Sequence, residues 1–424
     1  MAKISPQTSP TQPERLVSLD AYRGFVMLAM ASSGFGLAAA CANADVLKRY
    51  DNTGAQTAWR WLCGQLVFHT SHVPWAGCSF WDLIQPSFMF MVGVALPFSF
   101  ASRAALGQNG YMQFLHVLKR SLVLVLLGVF LRSNGAAHSN YTFVDVLSQI
   151  GLGYPIVWLM LKRGAVVQML VCAGILGGYW YAFYQHPAPG PGFDPTSVGL
   201  PADWPTYHGL AAHWNKNTNW ATVIDQKLLN LFPQYDKQGK LAPFLFHSGG
   251  YQTLNFIPSI VTMIFGLMAG ELLRGSKLPE QKTRRLLGAG LLSMALGLAL
   301  DPRQVSNLSL DWTLCPIVKV IWTPSWTLFS AGWTLWLLAM FYWVIDVRGW
   351  KGWAFPLVVV GMNSIAMYVG AAMFKPWISQ TLKTHFGADL FDFPGGPVAA
   401  SAATLLVLWL MCLWLYRRQI FVRV

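Results

Sequence analysis

Charge is scarce in this chain. Only 11% of its 424 residues are Asp, Glu, Lys or Arg, where a soluble domain carries about a quarter. That scarcity excludes an ordinary water-soluble globule. Acidic residues are the rarer sign, 17 against 30 basic. The six cysteines, at 41, 63, 78, 172, 315 and 412, form no CxxC pair and no metal-like spacing. A Walker lysine loop, GxSxG, HExxH and a GxGxxG following a strand are all missing, which excludes the commoner nucleotide, hydrolase and metalloprotease signatures. No internal repeat or low-complexity tract stands out, and this disfavours inverted-repeat transporter architectures.

What remains is apolar. Hydrophobic residues make up 54% of the chain, with 20 Trp and 26 Phe. Runs close to the ~20 residues that a ~30 Å hydrocarbon core requires recur along it. The fold class expected is all-α, a polytopic transmembrane helix bundle of about ten spans. They fall near 22–42, 80–100, 113–133, 143–161, 165–185, 254–273, 286–302, 326–346, 354–374 and 398–417. Residues 1–21 then form a cytoplasmic N-terminal segment, and 22–424 a single transmembrane domain. The net charge of +13 sits mostly in short knots between spans, such as Lys119-Arg120, Lys162-Arg163 and Arg417-Arg418. The positive-inside rule places such knots, and with them both termini, on the cytoplasmic side. Topology therefore accounts for the basicity, and no nucleic-acid partner is needed. The first span ends AAACANAD, which has the look of a signal-peptide cleavage site, but the many spans that follow favour an uncleaved first helix.

Two segments on the expected outer face are long, about 43–79 and 186–253. The second combines Pro, Gly and Asn with many aromatics and contains an amphipathic piece, ATVIDQKLLNLF. It is too aromatic for a flexible linker and reads as an ordered cap over the outer mouth. The stretch Leu314 to Trp326 leaves room for a half-helix. Cys63, Cys78 and Cys315 fall on the outer face with Cys41 close by. An oxidising compartment would allow one disulfide there, although buried thiols are the commoner state.

Ionisable groups inside a bilayer are costly and usually functional, so the polar exceptions matter. Asp20 and Arg23 are three apart at the start of the first span, spaced to pair on one helix face; the bland reading is an interfacial anchor and the sharper one a phosphate contact. Trp75 fits an interfacial aromatic belt. His72, in SHVPWAG, is followed ten residues later by Asp82. A carboxylate beside an imidazole sets its tautomer and raises its basicity, which suits a general base. Asp82 also completes an S-x-x-D capping box with Ser79. His69, one helical turn before His72, is a weaker candidate on the same lip, and the two lack a convincing third metal ligand. Gln149 with Asp145, Asn255 with Gln252, and Asn363 with Ser364 lie in or beside spans four, six and nine. Each taken alone serves equally well as interhelical glue; as a set they read as one polar site opening outward.

Four stretches carry a family resemblance: RLVSLDAYRG, HVPWAG with DLIQPSFMFMVG, PSIVTMIFGLMAG and GMNSIAMYVG. In this order along nearly the whole chain, they resemble the motifs of the heparan-α-glucosaminide N-acetyltransferase family. The resemblance implies acyl transfer from cytosolic acetyl-CoA, or another acyl-CoA, across the membrane to an amino sugar or glycan on the extracytoplasmic side. It implies a catalytic role for His72, a plasma-membrane location in a bacterium and a homodimer. Donor phosphates would meet inner-face basic residues such as Arg23, Lys119 or Arg120, with Asp20, the partner of Arg23, in the same cofactor-binding group. Gln149, Asn255 and Asn363 would offer hydrogen bonds at the reacting centre, and no metal is required. Gln149 stands where the family has an arginine, so the family's own acceptor need not carry over. The reading from another class is a transporter or flippase for a sugar or lipid-linked sugar, with Asp82 or Asp145 holding a coupling ion.

Overall fold

A computed structural model describes residues 16–42, 54–236, 239–304 and 313–422. The first fifteen residues of the expected N-terminal segment, and 43–53 of the first outer segment, lie outside these. The apolar runs become helices: α1 Val17–Ser32, α2 Gly54–His69, α3 Ile84–Ala105, α4 Gly110–Ser133, α5 Val146–Leu159, α6 Ala165–Gln185, α7 Trp220–Leu229, α8 Phe256–Arg274, α9 Pro279–Leu300, α10 Pro324–Phe341, α11 Phe355–Met362, α12 Ser364–Phe386 and α13 Gly396–Arg417. Among the described residues eight helices are long and apolar enough to cross a membrane. A further apolar pair, α11 and α12, meets at 71°, the geometry of a broken span or of a re-entrant loop. The expected fourth span corresponds to α5, which is apolar but short. The chain is thus an all-α integral membrane bundle, with the expected ten spans reduced to eight full helices, one bent pair and one short helix. Backbone polar groups that find no water in lipid must be satisfied within each helix, which is why the apolar runs take this form.

Small residues set how closely the helices approach. An added Cβ at Gly93 of α3 would strike the Met263 carbonyl of α8, and one at Gly266 would strike the Phe90 carbonyl in return. The same reciprocity ties Gly24 of α1 to Leu357 and Gly361 of α11 to Asp20. In a bilayer, where burial of apolar surface gives helices little reason to associate, such backbone proximity supplies the packing. The first amides of α1 are satisfied from another helix: Asp346 accepts Val17 N–H at 3.1 Å and Ser18 N–H at 3.3 Å.

A second apolar core sits at one end of the bundle. Trp75, Tyr179, Phe183, Trp214, Ala221, Leu254, Cys315, Val318 and Ile321 pack together there. The two long outer segments and the stretch after α9 thereby form one ordered cap. Trp75 is accordingly no belt residue: it is 5% exposed and donates its indole N–H to the Trp214 carbonyl at 3.2 Å. The amphipathic piece is α7, and the Leu314–Trp326 stretch holds turns leading into α10 at Pro324, with no half-helix. Cys41 and Cys63 form a disulfide with Cα atoms 5.6 Å apart, so two of the cysteines expected as thiols are joined at the cap end.

Asp225, on α7, is fully buried in the cap. Its Oδ2 accepts the Thr253 amide at 2.9 Å, while Oδ1 has no partner. Burial, only partly offset by the Thr253 bonds, raises its pKa from 3.8 to about 6. A folded value above the unfolded one means that ionising Asp225 costs stability, a cost absent well below pH ~4 and complete above pH ~6. Thermal unfolding in detergent should therefore show Asp225→Asn gaining stability over wild type at pH 7.5, by roughly 2–3 kcal/mol at most, and little at pH 4. An equal gain at both pH values would show that Asp225 does not titrate in this range.

Candidate functional site

His72 sits in a tight loop between α2 and α3, and the loop is held by its own polar groups. Ser79 Oγ donates to the Ser71 carbonyl at 2.6 Å, pulling the loop's two ends together. Ser79 and Asp82 form the expected capping box, with the Asp82 amide bonded to Ser79 Oγ and the Ser79 amide to Asp82 Oδ2. Oδ2 also accepts the Val73 amide at 3.3 Å and lies 2.9 Å from Ser79 Oγ. One carboxylate oxygen thus anchors the loop while the other, Oδ1, lies 2.8 Å from His72 Nδ1. Capping and imidazole orientation are therefore performed together, by different oxygens of Asp82.

The contact that sequence reasoning missed is Lys319. Its Nζ lies 3.2 Å from Asp82 Oδ1 and 3.0 Å from His72 Nδ1. An isolated antiparallel bridge between Ala76 and Val318, with Gly77 N–H donating to the Ile317 carbonyl at 2.9 Å, lays this segment along the His72 loop. Asn255 holds it from the other side, donating Nδ2–H to the Val320 carbonyl at 2.7 Å. Asp301 accepts the Ile317 amide at 2.7 Å. Burial lowers the Lys319 pKa, and the neighbouring Asp82 opposes that shift. The signal was a single cation in an apolar stretch, PIVKVIW, far from every basic knot. Nδ1 of His72 is within reach of both groups: in one tautomer it accepts from the Lys319 ammonium, and in the other it donates Nδ1–H to Oδ1, which can only accept. The second tautomer leaves Nε2 of His72 with its lone pair, and the His72 side chain is 50% exposed where Asp82 and Lys319 are 1% and 3%.

The exposed edge of His72 forms part of the wall of a cavity of about 580 Å³ at the cap end of the bundle. Arg132, Asp145, His247, Tyr251, Tyr368 and Lys319 share that wall. Asp145 caps α5 through the Leu147 and Ser148 amides, and Arg132 donates Nε–H to Thr142 Oγ1 at 2.9 Å. Arg132 stands at the end of α4 opposite the basic knots, which is the sign that it does something other than set topology.

The other predicted residues are not drawn into this cavity. His69 is exposed, its Nδ1 accepting the Phe80 amide at 3.4 Å. Gln149 is fully buried, donating to the Val144 carbonyl at 3.4 Å. Asn363 forms the break between α11 and α12; its Oδ1 accepts the Val422 amide at 3.0 Å, and Ser364 opens α12 beside it. Neighbouring Gly361 packs on Asp20, at the start of α1, whereas Met30 and Ser33 at the other end of α1 line the cavity. Asn363 and Ser364 are thus near the end opposite the cap, whereas Asp145, Gln149, Gln252 and Asn255 stand at the cap end, Asp145 on the cavity wall itself. Asp20 pairs with Arg23 at 3.7 Å. Arg120 stacks on Tyr154 and bonds its hydroxyl at 3.1 Å, while Lys119 is exposed. Arg120 lies twelve residues before Arg132 on α4, about 18 Å by helical rise, so it is well removed from His72.

No protein-family model matches the chain. Two curated relatives are similar to most of it. Human heparan-alpha-glucosaminide N-acetyltransferase is 23% identical over 449 aligned residues, covering 96% of this chain and 60% of that protein. The mouse protein of the same name is 23% identical over 413, covering 87% and 55%. The chain therefore spans little more than half the length of the curated relatives it matches.

Removing one partner from a buried ion pair strands the other charge, at a cost of about 3–5 kcal/mol, whereas removing both costs far less. Asp82→Asn and Lys319→Met should each lower the unfolding midpoint sharply, and the double variant should recover much of the loss. Strictly additive losses would mean that the two side chains are not coupled.

Proposed function

We propose, starting from the chain's distant kinship with the heparan-alpha-glucosaminide N-acetyltransferases, that it is a membrane acyltransferase that moves an acetyl group from acetyl-CoA to an amino sugar or glycan, with His72 as general base. One observation carries this reading: a half-exposed imidazole bonded to a buried carboxylate lines a cavity of about 580 Å³, room enough for a sugar and the end of a thioester.

The step balances as follows. The acceptor amine attacks the thioester carbonyl carbon, and the new N–C bond forms as Nε2 of His72 takes the amine proton. The C–S bond then breaks, and the thiolate leaves with the proton returned by His72. Asp82 stabilises the imidazolium formed in between, and Lys319 holds Asp82 in its ionised, acceptor state. General-base action of this kind is worth ~10²–10⁴ in rate. Placing the reactants together in the cavity supplies a further part of the acceleration.

The reading gives the bundle a direction. A disulfide requires an oxidising compartment, and Cys41–Cys63 is at the cap end. Most basic knots lie towards the other end, as the positive-inside rule expects of the cytoplasm. The cap and its cavity therefore face the extracytoplasmic side, and the CoA moiety approaches from the end that carries Arg23, Lys119 and Arg120.

Proteoliposomes with acetyl-CoA on one side and glucosamine on the other test chemistry and direction together. Acetylated sugar should appear only where the cap faces the sugar. His72→Ala should cut the rate by ~10²–10⁴. Wild-type turnover in His72→Ala would remove His72 from the reaction. If the wild-type protein used no acyl-CoA with any amino sugar, the acyltransferase reading would fall.

A further inference from the structure

His247, in the second cap segment, shares the cavity wall with His72, yet the base mechanism gives it nothing to do. Its orientation is the reverse of that of His72. Nδ1 of His247 accepts the Gly249 amide at 3.1 Å. A ring nitrogen that accepts an N–H carries no proton of its own, so in the neutral ring the proton is on Nε2. Among the described residues none bonds to that Nε2. Burial, followed by the positive charges of Arg132 and Lys216, lowers the pKa of His247 to about 4. The ring is therefore neutral near pH 7 and presents one N–H donor.

The loop that carries it is locked in place. The Gly250 amide donates to the His247 carbonyl at 2.8 Å, and Gly250 adopts φ +79°, a conformation that suits glycine. A Cβ at Gly250 would come within 2.8 Å of the Trp75 ring and 2.9 Å of Lys216. The turn thus rests on Trp75, three residues from His72. Tyr251 meets the His247 ring edge-on at 5.8 Å and also lines the cavity. Trp81 and Tyr368 supply further aromatic wall. Aromatic walls with a few fixed polar groups are the usual make-up of a small-molecule site.

We infer that His247 is the acceptor-recognition residue of this cavity: its Nε2–H donates to a hydroxyl or ring oxygen of a sugar held between the cap and His72, with Tyr251 beside it. The chemical class of the ligand rests on the proposed acyl transfer; the presence of a donor at that point on the wall does not. Two imidazoles in one cavity then have complementary tasks. His72 offers a lone pair to the reacting nucleophile, and His247 offers a proton to hold a part of the sugar that does not react. Because His247 comes from the cap, the cap completes the acceptor side of the site.

Binding of glucosamine and of N-acetylglucosamine, followed by tryptophan fluorescence with no acyl donor present, tests this directly. His247→Phe keeps an aromatic ring and removes the donor, and His247→Gln restores an N–H. His247→Phe should weaken binding about tenfold or more, and His247→Gln should stay within about threefold of wild type. In turnover, His247→Phe should raise KM for the sugar and leave KM for acetyl-CoA unchanged. Unaltered sugar affinity in His247→Phe would overturn the assignment. So would His247→Gln as weak as His247→Phe, a loss confined to kcat, or a wild-type protein that binds neither sugar. If wild type binds sugar through His247 but transfers no acetyl group, the acyltransferase reading fails while this inference stands.

Discussion

The site depends on one buried carboxylate with three obligations. Asp82 closes its own loop through Ser79 and Val73, bonds His72 at Nδ1, and neutralises Lys319. An ion desolvated to this degree is tolerated only when its charge is paired and its lone pairs are satisfied. The surrounding fold can be read as the means of meeting that condition. The Ala76–Val318 bridge brings Lys319 to the carboxylate, Asn255 and Asp301 brace the segment that carries it, and the cap core excludes water from the far side. Loss of the pairing would disturb loop, base and cap together.

The bundle beneath is built for rigidity. Reciprocal glycine contacts between α3 and α8 press backbone onto backbone, and α3 is the helix that begins at the Asp82 loop. An imidazole held by one helix terminus keeps its place relative to a cavity formed by several others only if those helices hold theirs. The disulfide at the cap end ties the short helix Leu37–Cys41, which follows α1, to α2, whose last residue, His69, leads directly into the His72 loop.

The two histidines of the cavity illustrate how environment assigns roles to identical side chains. His72 has a carboxylate at Nδ1 and, donating to it, keeps a basic edge; His247 has an amide at Nδ1 and is left with an acidic one. Positive neighbours reinforce the difference, since Arg132 and Lys216 disfavour a charged His247. Trp81, Tyr251 and Tyr368 share the wall with the two imidazoles, and aromatic surfaces of this kind suit a ligand with apolar faces and polar edges.

What the sequence by itself determined was whatever obeys a local rule. Apolar length made the helices, the basic knots marked one end, S-x-x-D made the capping box, and His72 with Asp82 were close enough along the chain for their pairing to be anticipated. The tertiary structure decided what depends on distant segments meeting. Lys319 lies 247 residues from His72, and no local pattern reports that a bridge at Val318 will bring them together. His247 carried no motif, because its donor character comes from a two-residue turn and from charges on other segments. Conversely, Asn363 matched a motif yet lies near the opposite end, where a 71° break in the chain uses its polar group. Helix formation is settled within a few residues by hydrogen bonding in an apolar medium. A site is settled by which buried charges find one another, and only the complete packing specifies that.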